Sequence, residues 1–188
     1  GQTQAEREAQ ARRLLAEAGY GPDNPLQFEL RYNTSDTQER IAVAIQAMWL
    51  EALGVEVTLV NEEFQVLLAN IAAGEVTQVF FSSWIGDYND AHTFLSLMES
   101  GNSSNMPRYS SDEYDSLMKQ AAGQVDPKYR RGYLEEAERV MLTDHPVIPI
   151  YFYVSKHLVS LLVVGWEDNV LDYHYSQHLS LAPADAAP

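Results

Sequence analysis

The segment LQFELRYNTSDTQERIAVAIQAMWLEALGVEVTLVN, residues 26–61, decides the fold of this chain. Its first part alternates apolar and polar residues, as a half-buried strand does; the apolar positions are Leu26, Phe28, Leu30 and Tyr32. Apolar residues then recur at helical spacing over residues 41–53, and Gly54 ends the run. A second alternating stretch covers residues 55–61. The order of strand, helix and strand predicts a β-α-β unit with parallel strands.

Further elements are predicted on both sides of this unit. Strong helix formers fill residues 4–18, and Gly19 is a natural stop. Polar residues at 33–36 supply helix-capping side chains before the central helix. Downstream, the pattern predicts a helix over 62–73, a central parallel strand over 78–84, helices starting near Ser111 and Asp126, and a fourth strand over 147–154. From Lys156 onward it predicts short extended pieces without a helix, so residues 1–155 are interpreted as one α/β lobe.

Composition excludes several classes of protein. Asp and Glu outnumber Lys and Arg by 27 to 12, a net charge of -15, and such a surface repels phosphate backbones, so nucleic acid is not expected as a partner. The absence of cysteine excludes disulfides and thiolate metal sites. The longest near-apolar run, residues 158–166, is too short to span a bilayer. The first ten residues do not resemble a secretory signal, which leaves a cytoplasmic chain, a mature chain or an internal fragment open.

Signatures of catalysis, cofactors and metals are absent from the sequence. It has no GxSxG, HExxH, GxGxxG or phosphate-binding loop motif, so no cofactor is expected. His174 and His178 have a spacing that would align two metal ligands on a helix, but the alternating pattern around them indicates a strand that separates them. We therefore expect no metal site and no enzyme.

The stretch WIGDYND, residues 84–90, is the most informative place for function. It follows a predicted central strand, and ligands of open α/β sheets bind outside the carboxyl ends of the strands. Trp84 offers a flat apolar wall, and Asp87 offers a negative charge beside it. The alternative is a capped turn, since aspartate and asparagine are common in turns and at helix starts. A second candidate is the aromatic cluster Tyr151, Phe152 and Tyr153, in which packing and ligand contact are equally open.

Five separated motifs together resemble one known family. They are AEAGYG at 16–21, LRYNTSD at 30–36, IQAMWLEALGVEVTLVN at 45–61, WIGDYND with HTFL at 84–95, and VIPIYFYVSKHLV at 147–159. In this order and spacing they resemble the carboxy-terminal part of the periplasmic oligopeptide-binding proteins that serve ABC importers, extracellular solute-binding protein family 5. The resemblance covers residues 5–181.

The resemblance implies a type II periplasmic-binding-protein fold, in which two α/β lobes close on a peptide around a hinge. Residues 1–156 would be most of the second, ligand-binding lobe, incomplete at its start. Residues 157–181 would be an extended tail that returns to the missing first lobe, and residues 182–188 a disordered terminus. The implied location is periplasmic or lipid-anchored outside the cytoplasmic membrane. The implied partners are an oligopeptide, the membrane subunits of the importer and the first lobe of the same protein.

The resemblance also implies roles for individual residues. Asp87 matches the aspartate that pairs with the α-amino group of a bound peptide, which needs an opposite charge once it leaves water. Trp84 matches the aromatic wall of a side-chain pocket, and Phe64 falls where the family often has a pocket tryptophan. Asn33 matches a cleft-facing asparagine. Tyr151 and Tyr153 match a tyrosine-rich strand near the hinge.

Departures from the family pattern keep other functions open. The places of cationic residues that meet the peptide carboxylate are occupied by Gln38, Ile71 and Phe81. This predicts a weaker preference for that carboxylate, or another solute such as a modified peptide, a metal chelate or a sugar. A hydrolase using Asp87 with Asp90 or His92 would need two groups with opposed pKa values, of which the pattern gives no sign. A lobe that only binds another protein through an apolar tail is a third class.

Overall fold

A three-stranded parallel sheet organises the first part of the chain. A computed structural model describes residues 1–76 and 78–183. These residues form two compact units, Gly1–Ser83 and a second that begins at Trp84. The sheet of the first unit contains β1 (Gln27–Asn33), β2 (Glu56–Glu62) and β3 (Val79–Phe80), in the order β2-β1-β3.

Three helices accompany this sheet: α1 (Gln4–Glu17), α2 (Asp36–Leu53) and α3 (Phe64–Ala73). The alternating apolar side chains of β1 and β2 pack against α2, and this burial of apolar surface holds the β-α-β unit together. The buried members of this core are Leu30, Tyr32, Ala42, Val55 and Val57. Gly54 and Gly74 end α2 and α3 with φ of 69° and 78°, a left-handed conformation that glycine adopts without steric cost. The predicted β-α-β unit and its parallel pairing are confirmed.

Two predictions for this unit need correction. The third strand is not central: β3 has two paired residues at the edge of the described sheet, and β1 is the central strand. Phe81 extends the pairing by a backbone hydrogen bond of 2.7 Å from its N–H to the carbonyl of Arg31. The cap of α2 also differs, because Ser35 occupies the N-cap position without a side-chain hydrogen bond. Thr34 instead donates its hydroxyl to Asn61 at 2.8 Å.

An antiparallel helix pair dominates the second unit. It consists of α5 (Asp112–Gly123) and α6 (Pro127–Asp144), preceded by the short α4 (His92–Leu95) and a 3-10 turn at Ser96–Met98. Ser111 and Asp126 cap α5 and α6 through their side chains, as the sequence predicts. The buried residues of this core come from α4, α5 and α6: Leu95, Tyr114, Met118, Ala121, Leu134, Ala137, Val140 and Met141.

The predicted fourth strand over 147–154 is wrong. The structure has irregular backbone there, and none of the described residues pairs with the segment as a neighbouring strand. Pro149 has no N–H to donate, and the side chains of 148–154 are exposed, with Phe152 at 97% and Tyr153 at 73%. Val147 packs on the core of the second unit. A strand needs partners for its backbone groups, and no neighbouring strand among the described residues supplies them.

Beyond residue 156 the described chain has no α-helix and forms two short antiparallel strands. These are β4 (Val163–Val164) and β5 (Ser180–Leu181), with a single 3-10 turn at Ser176–His178. The predicted disordered terminus falls largely on 184–188, which lie outside the described residues. The domain boundary at residue 156 stays a prediction. None of the helices in the described part of the chain combines the length and the apolar character that crossing a bilayer requires.

Candidate functional site

The loop that connects β3 to α4 carries Trp84 and Asp87, and close packing fixes its shape. A Cβ added to Gly86 would lie 3.2 Å from atoms of Thr93 and Phe94, so the loop backbone lies tightly against α4. The backbone N–H of Asp87 donates to the Thr93 hydroxyl at 3.0 Å. Thr93 is 2% exposed, so this bond is anchored in the interior. The backbone position of Asp87 is thereby set by α4.

The side chain of Asp87 is exposed and has few partners among the residues that the structure describes. Its Oδ2 accepts one long hydrogen bond, 3.4 Å, from the Thr93 hydroxyl. Among the described residues no cation pairs with it. Trp84 is 38% exposed in the same loop. The loop therefore presents an exposed carboxylate and a partly exposed aromatic ring.

The neighbouring carboxylate, Asp90, is fully engaged inside the second unit. Its two oxygens accept hydrogen bonds from the guanidinium of Arg130 at 2.7 and 2.9 Å. Oδ1 also accepts the backbone N–H of His92 at 2.8 Å, which caps the start of α4. The hydrogen bonds from Arg130 lower the pKa of Asp90, and the backbone bond from His92 acts in the same direction. Asp90 thus has a structural role, because its hydrogen bonds with Arg130 connect the loop to α6.

The two aspartates of WIGDYND differ in their partners. The Asp90 carboxylate accepts the N–H of His92 at the start of α4, whereas the Asp87 carboxylate accepts the hydroxyl of Thr93. A hydrolase with Asp90 as general acid would need a raised pKa, and the pKa of Asp90 is lowered instead. His92 is held by a 2.7 Å hydrogen bond between its Nδ1 and the hydroxyl of Tyr88.

The other candidate residues lie in two further places. Asn33 is the last residue of β1, and Phe64 is the first residue of α3, directly after β2. Because Asn33 pairs in register with Glu62, both candidates lie at the carboxyl ends of the β1–β2 pair. Phe64 is 49% exposed there. Tyr151 and Tyr153 lie in the irregular segment of the second unit, exposed by 52% and 73%.

The residues at the places of the family's cations are mostly part of the interior. Ile71 is 8% exposed on α3, and Phe81 packs on the core of the first unit. Gln38, on α2, has a buried Oε1 with no hydrogen-bond partner among the described residues. None of the three presents a positive charge to a ligand.

Sequence reasoning missed Arg130 and Thr93, which hold the loop. Arg130 lies 40 residues from Asp90, and only the packing of α6 beside α4 brings them together. One sequence signal could have pointed to Arg130. Asp126 caps the start of α6, and this places Arg130 as the fourth residue of that helix.

Comparisons with known proteins place the chain in a family. Residues 1–106 match the model of the bacterial extracellular solute-binding proteins, family 5 Middle. The periplasmic oligopeptide-binding protein OppA of Escherichia coli K12 is 36% identical over 180 residues, 95% of this chain and 33% of the relative. The probable deoxycholate-binding periplasmic protein YgiS of the same strain is also 36% identical, over 176 residues, 93% of this chain and 33% of the relative.

A solved structure agrees in fold. The structure of the Escherichia coli murein tripeptide binding protein MppA superposes with a TM-score of 0.87 at 36% identity, covering 96% of this chain and 35% of that one. The chain spans about a third of the length of the curated relatives it matches. It has the periplasmic-binding-protein fold over that third. The chain therefore belongs to family 5 of the bacterial extracellular solute-binding proteins.

Proposed function

We propose that this chain is the ligand-binding lobe of a periplasmic solute-binding protein that captures oligopeptides between two lobes and delivers them to an ABC importer. The observation that carries the proposal is the difference between the two aspartates of residues 84–90. Asp90 is occupied by Arg130, whereas Asp87 is exposed beside Trp84 and accepts one long hydrogen bond. An anion with unused acceptors next to an aromatic surface suits a peptide's ammonium group and its first side chain.

The proposed protein binds and does not catalyse. Asp87 would hold the α-amino group and set the register of the peptide, and Trp84 would line a side-chain pocket. Phe64 and Asn33 at the β1–β2 ends, with Tyr151 and Tyr153, would complete the contacts. Backbone pairing holds extended peptides without reading their sequence, so broad specificity is expected. The importer subunits and the first lobe are proposed as partners by the same reasoning.

Substitution of Asp87 by Ala in the complete protein tests this role. Peptide binding should weaken by about 2–5 kcal/mol, the usual penalty for removing one partner of a buried charge pair. Calorimetry with a short peptide that has a free α-amino group measures the change. Asp23→Ala, which removes an exposed carboxylate from a turn of the first unit, is the matched control and should bind normally. A loss of binding free energy below about 0.5 kcal/mol in the Asp87 variant would contradict the proposed role.

A second candidate ligand is a small solute without an ammonium group. It is favoured by the relative named as probable deoxycholate-binding, whose identity to this chain equals that of the oligopeptide binder. The same variant separates the two candidates. A carboxylate solute such as deoxycholate should bind the Asp87→Ala protein as well as or better than the wild type, because a like charge has been removed.

A further inference from the structure

A cluster of two histidines and an aspartate lies in the second unit, about 70 residues or more along the chain from the loop that carries Trp84 and Asp87. Nε2 of His157 lies 2.7 Å from Oδ1 of Asp172, and Nε2 of His174 lies 3.0 Å from the same oxygen. The three potential ligand atoms all lie within 4.8 Å of one another. We propose that His157, Asp172 and His174 form a binding site for one Zn²⁺ or a similar divalent transition-metal ion.

The donor set fits this class of metal. Two imidazole nitrogens and one carboxylate are common ligands of Zn²⁺, and they leave a fourth position for water or another ligand. Ligands that are about 2.0–2.1 Å from a tetrahedral zinc ion lie roughly 3.4 Å from one another. The two nitrogen–oxygen distances, 2.7 and 3.0 Å, are somewhat shorter than that value, and the three atoms lie within 4.8 Å of one another, so small side-chain movements would admit the ion. Nitrogen donors also disfavour Mg²⁺ and Ca²⁺, which prefer oxygen.

The backbone around Asp172 is shaped to present its side chain. Asp172 has φ of 57°, a left-handed conformation that is uncommon outside glycine. The side chain of Asn169 stabilises the turn, accepting the N–H of Tyr173 at 3.1 Å and donating to its carbonyl at 2.9 Å. The Asp172 N–H donates to the Asn169 carbonyl at 3.0 Å. Asp172 and His174 are thereby placed on one side of a closed turn.

Aromatic packing orients the imidazoles. Trp166 stacks on His174 with ring centroids 3.6 Å apart and an interplanar angle of 12°, and its ring lies 5.1 Å from that of His157. The chain before Trp166 is itself constrained. A Cβ at Gly165 would lie 2.0 Å from the carbonyl oxygen of His178, so only glycine fits there. Ligands held in this way lose less conformational freedom when a metal binds.

Local charge favours a cation. His174 lines a cavity of about 440 Å³ together with Glu167 and Asp168. The His174 side chain is 10% exposed, whereas those of His157 and Asp172 are 34% and 38% exposed, so the cluster is reachable from solvent. His178 lines the same cavity but lies outside the cluster, which makes it a matched control. The pair of histidines weighed from the sequence, His174 and His178, is thus replaced by His174 and His157.

Calorimetric titration of the untagged, full-length protein with ZnCl₂ tests the site. We expect one equivalent to bind, with His157→Ala and His174→Ala each weakening it at least roughly tenfold, and His178→Ala leaving it unchanged. MgCl₂ should give no binding. Absence of saturable Zn²⁺ binding by the wild type, or binding that survives both alanine substitutions, overturns the site. Because the cluster excludes Asp87 and Trp84, this result is independent of peptide binding.

Fluorescence of the protein with all three cluster residues intact supplies a second readout, independent of the alanine variants. Since Trp166 stacks on His174, Co²⁺ bound at the cluster should quench its emission saturably, and excess Zn²⁺ should reverse the quenching. Trp166→Phe should abolish the quenching while Zn²⁺ still binds. Quenching that is equal in wild type and Trp166→Phe would place the ion elsewhere and contradict the proposal.

Discussion

Asp87 and Asp90 lie three residues apart but have different hydrogen-bond partners. Arg130 reaches both oxygens of Asp90, so this carboxylate is satisfied inside the second unit. Among residues 1–76 and 78–183, the carboxylate of Asp87 receives one long hydrogen bond, from Thr93. The sequence pattern could name both residues as candidates, because aspartate in a loop before a helix suits either role. It could not assign them, since the deciding partner lies 40 residues away.

Replacing Arg130 by Met should destabilise the protein through Asp90. The side chains are 29% and 33% exposed, so solvent screens the pair in part, and we expect a loss of about 1 kcal/mol at neutral pH. The measurement is urea unfolding of wild type and variant. Arg131→Met is the matched control, because its partner Glu135 is a surface neighbour on the same helix, and it should cost less.

The effect of Arg130 should depend on pH. Because the folded state lowers the pKa of Asp90, the pair stabilises the protein above the unfolded-state pKa, about 3.9. That stability is lost as the pH falls through the lowered value in the folded state. The difference between wild type and Arg130→Met should therefore shrink below about pH 4. A difference that stays constant down to pH 2 would contradict this assignment.

At the scale of elements, the helices are the part that the sequence predicts well. Their apolar periodicity, their capping residues and their terminal glycines all act within a few neighbouring residues, so the pattern contains what decides them. Strands depend on partners elsewhere in the chain. The segment 147–154 has a strand-like pattern but no pairing strand among the described residues, and the predicted strand 78–84 pairs with β1 at only two ladder positions. The local sequence pattern shows that a segment tends to form a strand, but it does not show which other segment pairs with it.

Substitutions on α6 should separate its buried face from its exposed face. Leu134 is 5% exposed in the core against α5, so Leu134→Ala should cost about 2–5 kcal/mol in free energy of unfolding. Leu142 lies on the same helix and is 38% exposed, so Leu142→Ala is the matched control and should lower the free energy of unfolding by less than about 1 kcal/mol. Equal losses in chemical denaturation would mean that the described packing of α5 on α6 is wrong.

At the scale of the whole molecule, the chain carries many negative charges and a long exposed apolar segment. The net charge of -15 predicts repulsion from the phosphate backbone of nucleic acid. The segment around 147–161 exposes Ile148, Phe152, Leu158 and Leu161. The chain spans about a third of its relatives, and in the proposed function such surface would be covered by the rest of the protein. We therefore expect the complete protein to bind peptides, and residues 1–188 on their own to bind them weakly or not at all.

Native mass spectrometry of the complete gene product, purified without denaturation, tests the central claim most directly. A solute-binding protein with a tight site retains its natural ligand, whose mass can be read after release in the gas phase. We predict a ladder of small-peptide masses, which would also give the range of peptide lengths. A single discrete mass that is not a peptide would contradict the peptide assignment and move the ligand to another class within the family.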